Sequence, residues 1–313
     1  MRQLTGQIAS YDAPSTEQIA QRIGLPAAEI IRFDGNTSPQ ALPSTRAEAL
    51  TEELARIHTY PHGGYPQLER AIADYAGVAP ENVVLGAGAD DLILLLTRSF
   101  ASPGDQVAIA NDPTYPMFPI SVWTAGADVG DDDPALTICC RPNNPTGELG
   151  ELPAARPLVV DEAYYEYSGE TAVDLIEDDV VVIRTFSKAF GLAGARVGYA
   201  LAGKEVAADL NKRQHPAPLS TLSAALALAG LAAPPDVTPI LEERERMRDR
   251  LQELTFGPLP SHANFLYVPV DDPQAEYDRL LHHGYAVRPV RGGIRITIRT
   301  QQDDDRLLAA LQS

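Results

Sequence analysis

The stretch from Val180 to Tyr199, VVVIRTFSKAFGLAGARVGY, constrains this chain more than any other. Val180, Val181, Val182 and Ile183 form an unbroken apolar run, the pattern of a strand covered on both faces. A second apolar run, VGYALA, begins at Val197. Between them lie Thr185, Ser187, Lys188, the small residues Gly191, Ala193 and Gly194, and then Arg196. Both runs must be buried, so the lysine is held against a core. A lysine so placed loses hydration, its pKa falls, and its neutral amine becomes a nucleophile. Such an amine can form a Schiff base with an aldehyde cofactor. The two hydroxyls and Arg196 can hold that cofactor's phosphate. A lysine that snorkels from a surface loop is the plainer reading of the same residues, and the rest of the chain decides between the two.

With 313 residues the chain can bury one large core or fill two domains. Its net charge of -18, from 43 acidic and 25 basic residues, argues against nucleic acid and anionic membranes as partners. An anionic ligand must be captured by locally placed arginines, against the overall field. The two cysteines, Cys139 and Cys140, are adjacent, which excludes a disulfide framework and points to buried strand positions. No Cys/His spacing suits a metal, so no metal is expected. No apolar run reaches spanning length and no leader pattern opens the chain, and the expected location is cytoplasmic.

Polar residues recur just past successive strands. Residues 1–42 read as an arm, with a helical pattern from Tyr11 to Leu25 and Ser15 or Thr16 as its cap, followed by the connection DGNTSPQALPS. Helices are expected over Arg46 to Ile57 and Gln67 to Tyr75, with Tyr60 and Tyr65 on the loop between. The strand Asn82 to Leu85 runs through Gly86-Ala87-Gly88-Ala89-Asp90-Asp91 into an apolar helix from Leu92 to Phe100. That order points backbone N–H groups at an anion, and the glycine spacing suits a phosphate better than a dinucleotide. Tyr115 falls past the strand Gln106 to Ala110, where an aromatic can stack on a planar ligand. The strand LTICC ends in the turn Asn143-Asn144-Pro145-Thr146-Gly147. The strand from Leu158 to Val160 ends in Asp161, and a carboxylate there is costly without a cationic partner. These features imply an α/β fold, a mostly parallel sheet flanked by helices around one ligand crevice. Two helices, Ser220 to Ala233 and Val237 to Leu254, precede alternating strands and helices over 262–313, the look of a smaller α+β domain. Arg288, Arg291 and Arg295 crowd one short span there, and Ile294, Ile296 and Ile298 face away from Arg295. The expected division is an arm at 1–42, a large domain at 43–212 and a small domain at 213–313.

Taken in order, these motifs resemble the pyridoxal-phosphate aminotransferases of the aspartate-aminotransferase fold (fold type I), and within them the histidinol-phosphate aminotransferase family. The resemblance rests on SYDAPSTEQIAQRIGL, YPHGGYPQL, GAGADD, DPTYPMF, RPNNPTG, VVDEAYYEY, TFSKAFGLAGARVGY, ANF and GIRIT, from Tyr11 to Thr297. It implies that Lys188 carries pyridoxal 5′-phosphate and moves the substrate's proton, and that Asp161 pairs with the ring nitrogen. Asn144 and Tyr164 would meet the ring oxygen, and Tyr115 would stack on the ring. Gly88, Ala89, Asp90, Thr185, Ser187 and Arg196 would surround the phosphate, with Tyr60 reaching it from the other subunit of a homodimer. Arg295 would grip a carboxylate of the substrate or of 2-oxoglutarate, with Arg288 and Tyr11 near the substrate's distal phosphate.

The implied reaction is ping-pong transamination with histidinol phosphate as first-choice donor. An aromatic or other amino acid is the alternative donor, and threonine-phosphate decarboxylase-like lyase chemistry the alternative reaction. A cofactor-sensing regulator is disfavoured, because the first 42 residues are too few for an attached DNA-binding module. The chain departs from the family in shortened segments between Tyr115 and Asn143 and between Gly147 and Asp161, which imply trimmed helices or edge strands. It also has DGNTSP in place of an NENP-like entry, and Arg299 where a small glycine is expected.

Overall fold

The computed structural model describes residues 14–40, 50–61 and 63–312. Tyr11 and the first residues of the helix expected from Arg46 lie outside them. In the arm, the helix Thr16–Ile23 begins at a full capping box. Ser15 accepts from the Gln18 N–H, and the Gln18 side chain answers the Ser15 N–H. Gly24, in the left-handed conformation, ends it. The arm then contributes a two-residue strand, β1 (Ile31–Arg32).

The central sheet is made of β2 (Val83–Gly86), β3 (Gln106–Ile109), β4 (Asp128–Val129), β5 (Leu136–Cys140), β6 (Leu158–Asp161), β7 (Val180–Thr185) and β8 (Gly198–Leu201). Their order across the sheet is β2-β8-β7-β6-β5-β3-β4. Every contact from β7 to β4 is parallel, and β8 runs antiparallel to both of its neighbours. The apolar runs explain the burial. Val180 and Val182 join the core on one face of the sheet, and Val181 and Ile183 the core on the other. The mostly parallel α/β sheet expected from the sequence is present.

One stretch differs from the sequence reading, and a second agrees with it. The helix Met117–Ala125 was not anticipated, because MFPISVWTA is apolar nearly all round and carries no helical period. It leads to the short edge strand β4. The crossover from β5 to β6 carries no helix, which is where the shortened segment before Asp161 falls.

A second core lies around the three-stranded antiparallel sheet β11-β12-β9, formed by β9 (Phe265–Pro269), β11 (Arg288–Val290) and β12 (Gly293–Thr297). The intervening strand β10 (Tyr285–Ala286) pairs in parallel with β1. Phe33, just past β1, is fully buried in that core, and its carbonyl accepts from the Thr297 N–H at 2.8 Å. The arm is thereby stitched to the C-terminal strands.

Candidate active site

A cleft of about 190 Å³ opens where the parallel strands end. One wall is the turn after β2. Gly88, at φ +89°, caps the helix Ala89–Phe100. A Cβ on Gly88 would come within 2.6 Å of Arg196 Nη2, and one on Gly198 within 2.7 Å of the Gly88 carbonyl carbon. The two glycines let the turn, the guanidinium and β8 close on one another. Among the described residues no acceptor takes the N–H groups of Ala89 and Asp90. Those donors and the helix dipole favour an anion beside them.

The hydroxyls of Thr185 and Ser187, 2.9 Å apart, lie on the same wall. Arg196 Nη2 donates to Asp90 Oδ2 at 3.0 Å, and the Tyr115 hydroxyl donates to Asp90 Oδ1 at 2.9 Å. The Asp90 carboxylate therefore orients Arg196 and Tyr115. Only its backbone N–H is suited to a phosphate.

Asp161 ends β6 at the floor of the cleft. Burial pushes its carboxyl up to about 7, opposed by the Ala163 N–H, which donates to Oδ1 at 3.0 Å. Among the described residues it has no ion pair. A buried carboxylate held by one N–H is costly, and a cationic nitrogen in the cleft would relieve it.

Lys188 faces the same space, with Nζ 3.5 Å from the Gly35 carbonyl oxygen and 5.8 Å from the Tyr164 ring centroid. Burial pushes its amine down to about 8; Arg295 adds to the shift, while Asp90 and Asp161 oppose it. Arg295, 6 % exposed, donates from Nη1 to Asn144 Oδ1 and from Nη2 to the Asp34 carbonyl, both at 2.5 Å. A guanidinium only donates, so the Asn144 amide shows its oxygen to Arg295.

The structure thus brings together Gly88, Ala89, Asp90, Tyr115, Asn144, Asp161, Tyr164, Thr185, Ser187, Lys188, Arg196 and Arg295. Arg288 stands apart, in an adjoining hollow of about 360 Å³ that shares Tyr115, Asn144 and Arg295 with the cleft. Tyr60 is 80 % exposed and lines a different hollow, beside the helix Thr221–Ala232. Tyr11 lies outside the described residues. Sequence reasoning missed Asp34, Gly35, Asn36 and Thr37, which the arm brings to the cleft, and Cys140, whose neighbour across the sheet is Asp161. The DGNT segment read as a mere connection. Its signal was Gly-Asn, a pair that tolerates left-handed backbone, and Asn36 has φ +50°.

Behind the cleft, on the opposite side of β6 and β7, Glu162 and Arg184 form a buried pair at 3.0 Å. Glu162 also accepts from the Thr171 hydroxyl and the Ala172 N–H, and Arg184 lies 3.4 Å over the Tyr165 ring. The pair ties together the residues that follow Asp161 and precede Thr185.

Residues 28–131 and 131–311 match the model of aminotransferase class I and II. The chain belongs to that family. It is 36% identical, over 90% of its length and 91% of the relative's, to a histidinol-phosphate aminotransferase of Thermococcus gammatolerans. The structure of the histidinol-phosphate aminotransferase of Sinorhizobium meliloti, in complex with pyridoxal-5′-phosphate, superposes with a TM-score of 0.85. That match is at 26% identity and covers 100% of this chain and 97% of the other. An L-threonine-O-3-phosphate decarboxylase of Porphyromonas gingivalis shares the fold at a TM-score of 0.79 and 19% identity, over 90% of this chain and 98% of its own. The aminotransferase fold and the decarboxylase fold are thus one architecture.

Proposed function

We propose that the chain is a pyridoxal 5′-phosphate-dependent transaminase that passes the amino group of histidinol phosphate to 2-oxoglutarate in a ping-pong cycle. The observation that carries this reading is the convergence of Lys188, Asp161 and Arg196 on one cleft. The residues fit the cofactor. The glycine cradle at Gly88 and the open N–H groups of Ala89 and Asp90, with Thr185, Ser187 and Arg196, suit its phosphate. Asp161 needs the cation that a protonated ring nitrogen is. When bound, pyridoxal phosphate supplies an aldehyde for an amine and a ring that accepts an electron pair.

The chain's own residues do the rest. Lys188, its amine held near 8 by burial, would give the aldehyde a neutral nucleophile and would hold the proton taken from the substrate's Cα. Asp161 holds the proton on the ring nitrogen. Asn144 and Tyr164 would meet the ring oxygen, and Tyr115 would cover a ring face. Arg295 holds the carboxylate of 2-oxoglutarate, and Arg288 and Tyr11 receive the donor's phosphate. Tyr60 fits the site of a second copy. Leu54, Ile57 and Tyr60 are exposed beside the Ala/Leu-rich helix Thr221–Ala232, which buries only Ala227 and Gly230. Sedimentation should therefore give twice 33.7 kDa, and a monomer at micromolar concentration would contradict the shared site. The units 1–42, 43–212 and 213–313 then serve as arm, cofactor domain and closing domain of a cytoplasmic enzyme.

The test is a donor panel without acceptor. Histidinol phosphate should bleach the bound cofactor to its amine form at one equivalent, ahead of aromatic amino acids. Bleaching by aromatic donors alone would change the substrate, and carbon dioxide release from threonine phosphate without bleaching would replace the transaminase with a lyase.

A further inference from the structure

We propose that Asn36 is a positioning residue that fixes Tyr164 as a hydrogen-bond donor into the cleft. The inference rests on the cofactor reading above. Asn36 is 1 % exposed, and its polar groups are engaged on every side. Its N–H donates to Thr297 Oγ1 at 3.0 Å, and its carbonyl accepts from Asn264 Nδ2 at 3.1 Å. Its Oδ1 lies 3.0 Å from Thr297 Oγ1, and its Nδ2 donates to the Tyr164 hydroxyl oxygen at 2.8 Å.

Thr297 decides the sense of that last bond. Its buried hydroxyl already receives the Asn36 N–H and has one hydrogen to give. Among the described residues, the acceptor its bonds reach is Asn36 Oδ1. Turning the amide over would aim Nδ2 at Thr297 and leave the threonine hydrogen buried without an acceptor. Nδ2 therefore faces Tyr164, and the Tyr164 hydrogen must point elsewhere. The ring cannot swing: Tyr164 is 2 % exposed and packs edge-on against Phe265 at 5.1 Å between centroids. Its hydrogen is left to the cleft, which Tyr164 lines. A donor there disperses the charge on the cofactor's phenolic oxygen. That lowers the pH at which the lysine-bound chromophore loses its proton. Asn36 sits in the arm and Thr297 on β12, so the polarity of Tyr164 is set by segments remote from it in sequence.

The experiment is a pH titration of the visible absorbance of the holoenzyme. Tyr164→Phe should raise the chromophore's pKa by about one to two units, the loss of one hydrogen bond to a charged oxygen. Asn36→Asp presents two acceptors, draws the Tyr164 hydrogen back, and should raise the pKa by a similar amount. In the Tyr164→Phe background Asn36→Asp should add little. An Asn36→Asp variant with the wild-type pKa, or one whose full shift persists without the phenol, overturns the proposal; the latter would mark a bare charge effect. Should Asn36→Asp fail to fold, judged by thermal melting, Thr297→Val decides. It should shift the pKa in the same direction while Thr297→Ser restores it, and no difference between them overturns the proposal. A wild-type protein that gains no visible band with pyridoxal phosphate would instead remove the cofactor reading itself.

Discussion

Lys188 and Asp161 are drawn toward neutral pH from opposite sides, and burial is the first cause for both. Each was legible in the sequence for that reason, as a charged residue abutting an apolar run. What could not be read was the polarity of the bonds around them. Asn36 and Cys140 reach the cleft only through the fold, and Asp90 turned out to offer a backbone N–H while its carboxylate steers Arg196. The lowered amine has a kinetic consequence. Only the neutral form attacks a carbonyl, so capture of pyridoxal phosphate by the cofactor-free protein should quicken as pH rises and level off near 8. A rate that kept climbing toward the ordinary lysine value of 10.5 would mean a hydrated lysine.

At the scale of elements, the strands were read closely because burial on both faces leaves an unbroken apolar run, as in β5, β6 and β7. The helix Met117–Ala125 escaped for the mirror-image reason, since an apolar sequence without period suits either element. Nothing in the sequence marked the contact between the helices Thr238–Glu253 and Gln301–Leu311. There Asp304, fully buried, is pushed from 3.8 to about 8 by burial and by the Glu243 side chain, against the Arg299 N–H and Arg246. Arg246 also bonds Glu243 at 2.7 Å and Asp305 at 2.8 Å. A carboxyl whose pKa is raised on folding stabilises the fold most at low pH and loses that contribution as pH rises toward 8. Asp304→Asn keeps a donor for Glu243 at every pH. It should flatten the stability profile between pH 4 and 8 and raise stability at pH 8 by about 1 kcal/mol or more. Denaturant midpoints across that range measure it, and an unchanged slope would place the titration elsewhere.

For the whole molecule, a mostly parallel α/β sheet with a crevice at its strand ends was legible in the sequence, because polar residues followed strand after strand. It could not show that the arm returns to build the crevice. β1 pairs with β10, Phe33 enters the C-terminal core, and residues 34–37 are carried from there to Lys188 and Tyr164. Such pairings depend on distant partners and leave no local pattern. The same long-range closure brings Arg196 and Arg295 into one cleft of a chain of net charge -18, so the positive charge there is local. All of it converges on one amine. Protein mixed with pyridoxal phosphate, reduced with borohydride and digested should carry the pyridoxyl mass on the peptide containing Lys188 and nowhere else. A label spread over surface lysines, or one that persists at full yield in Lys188→Ala, would contradict the site.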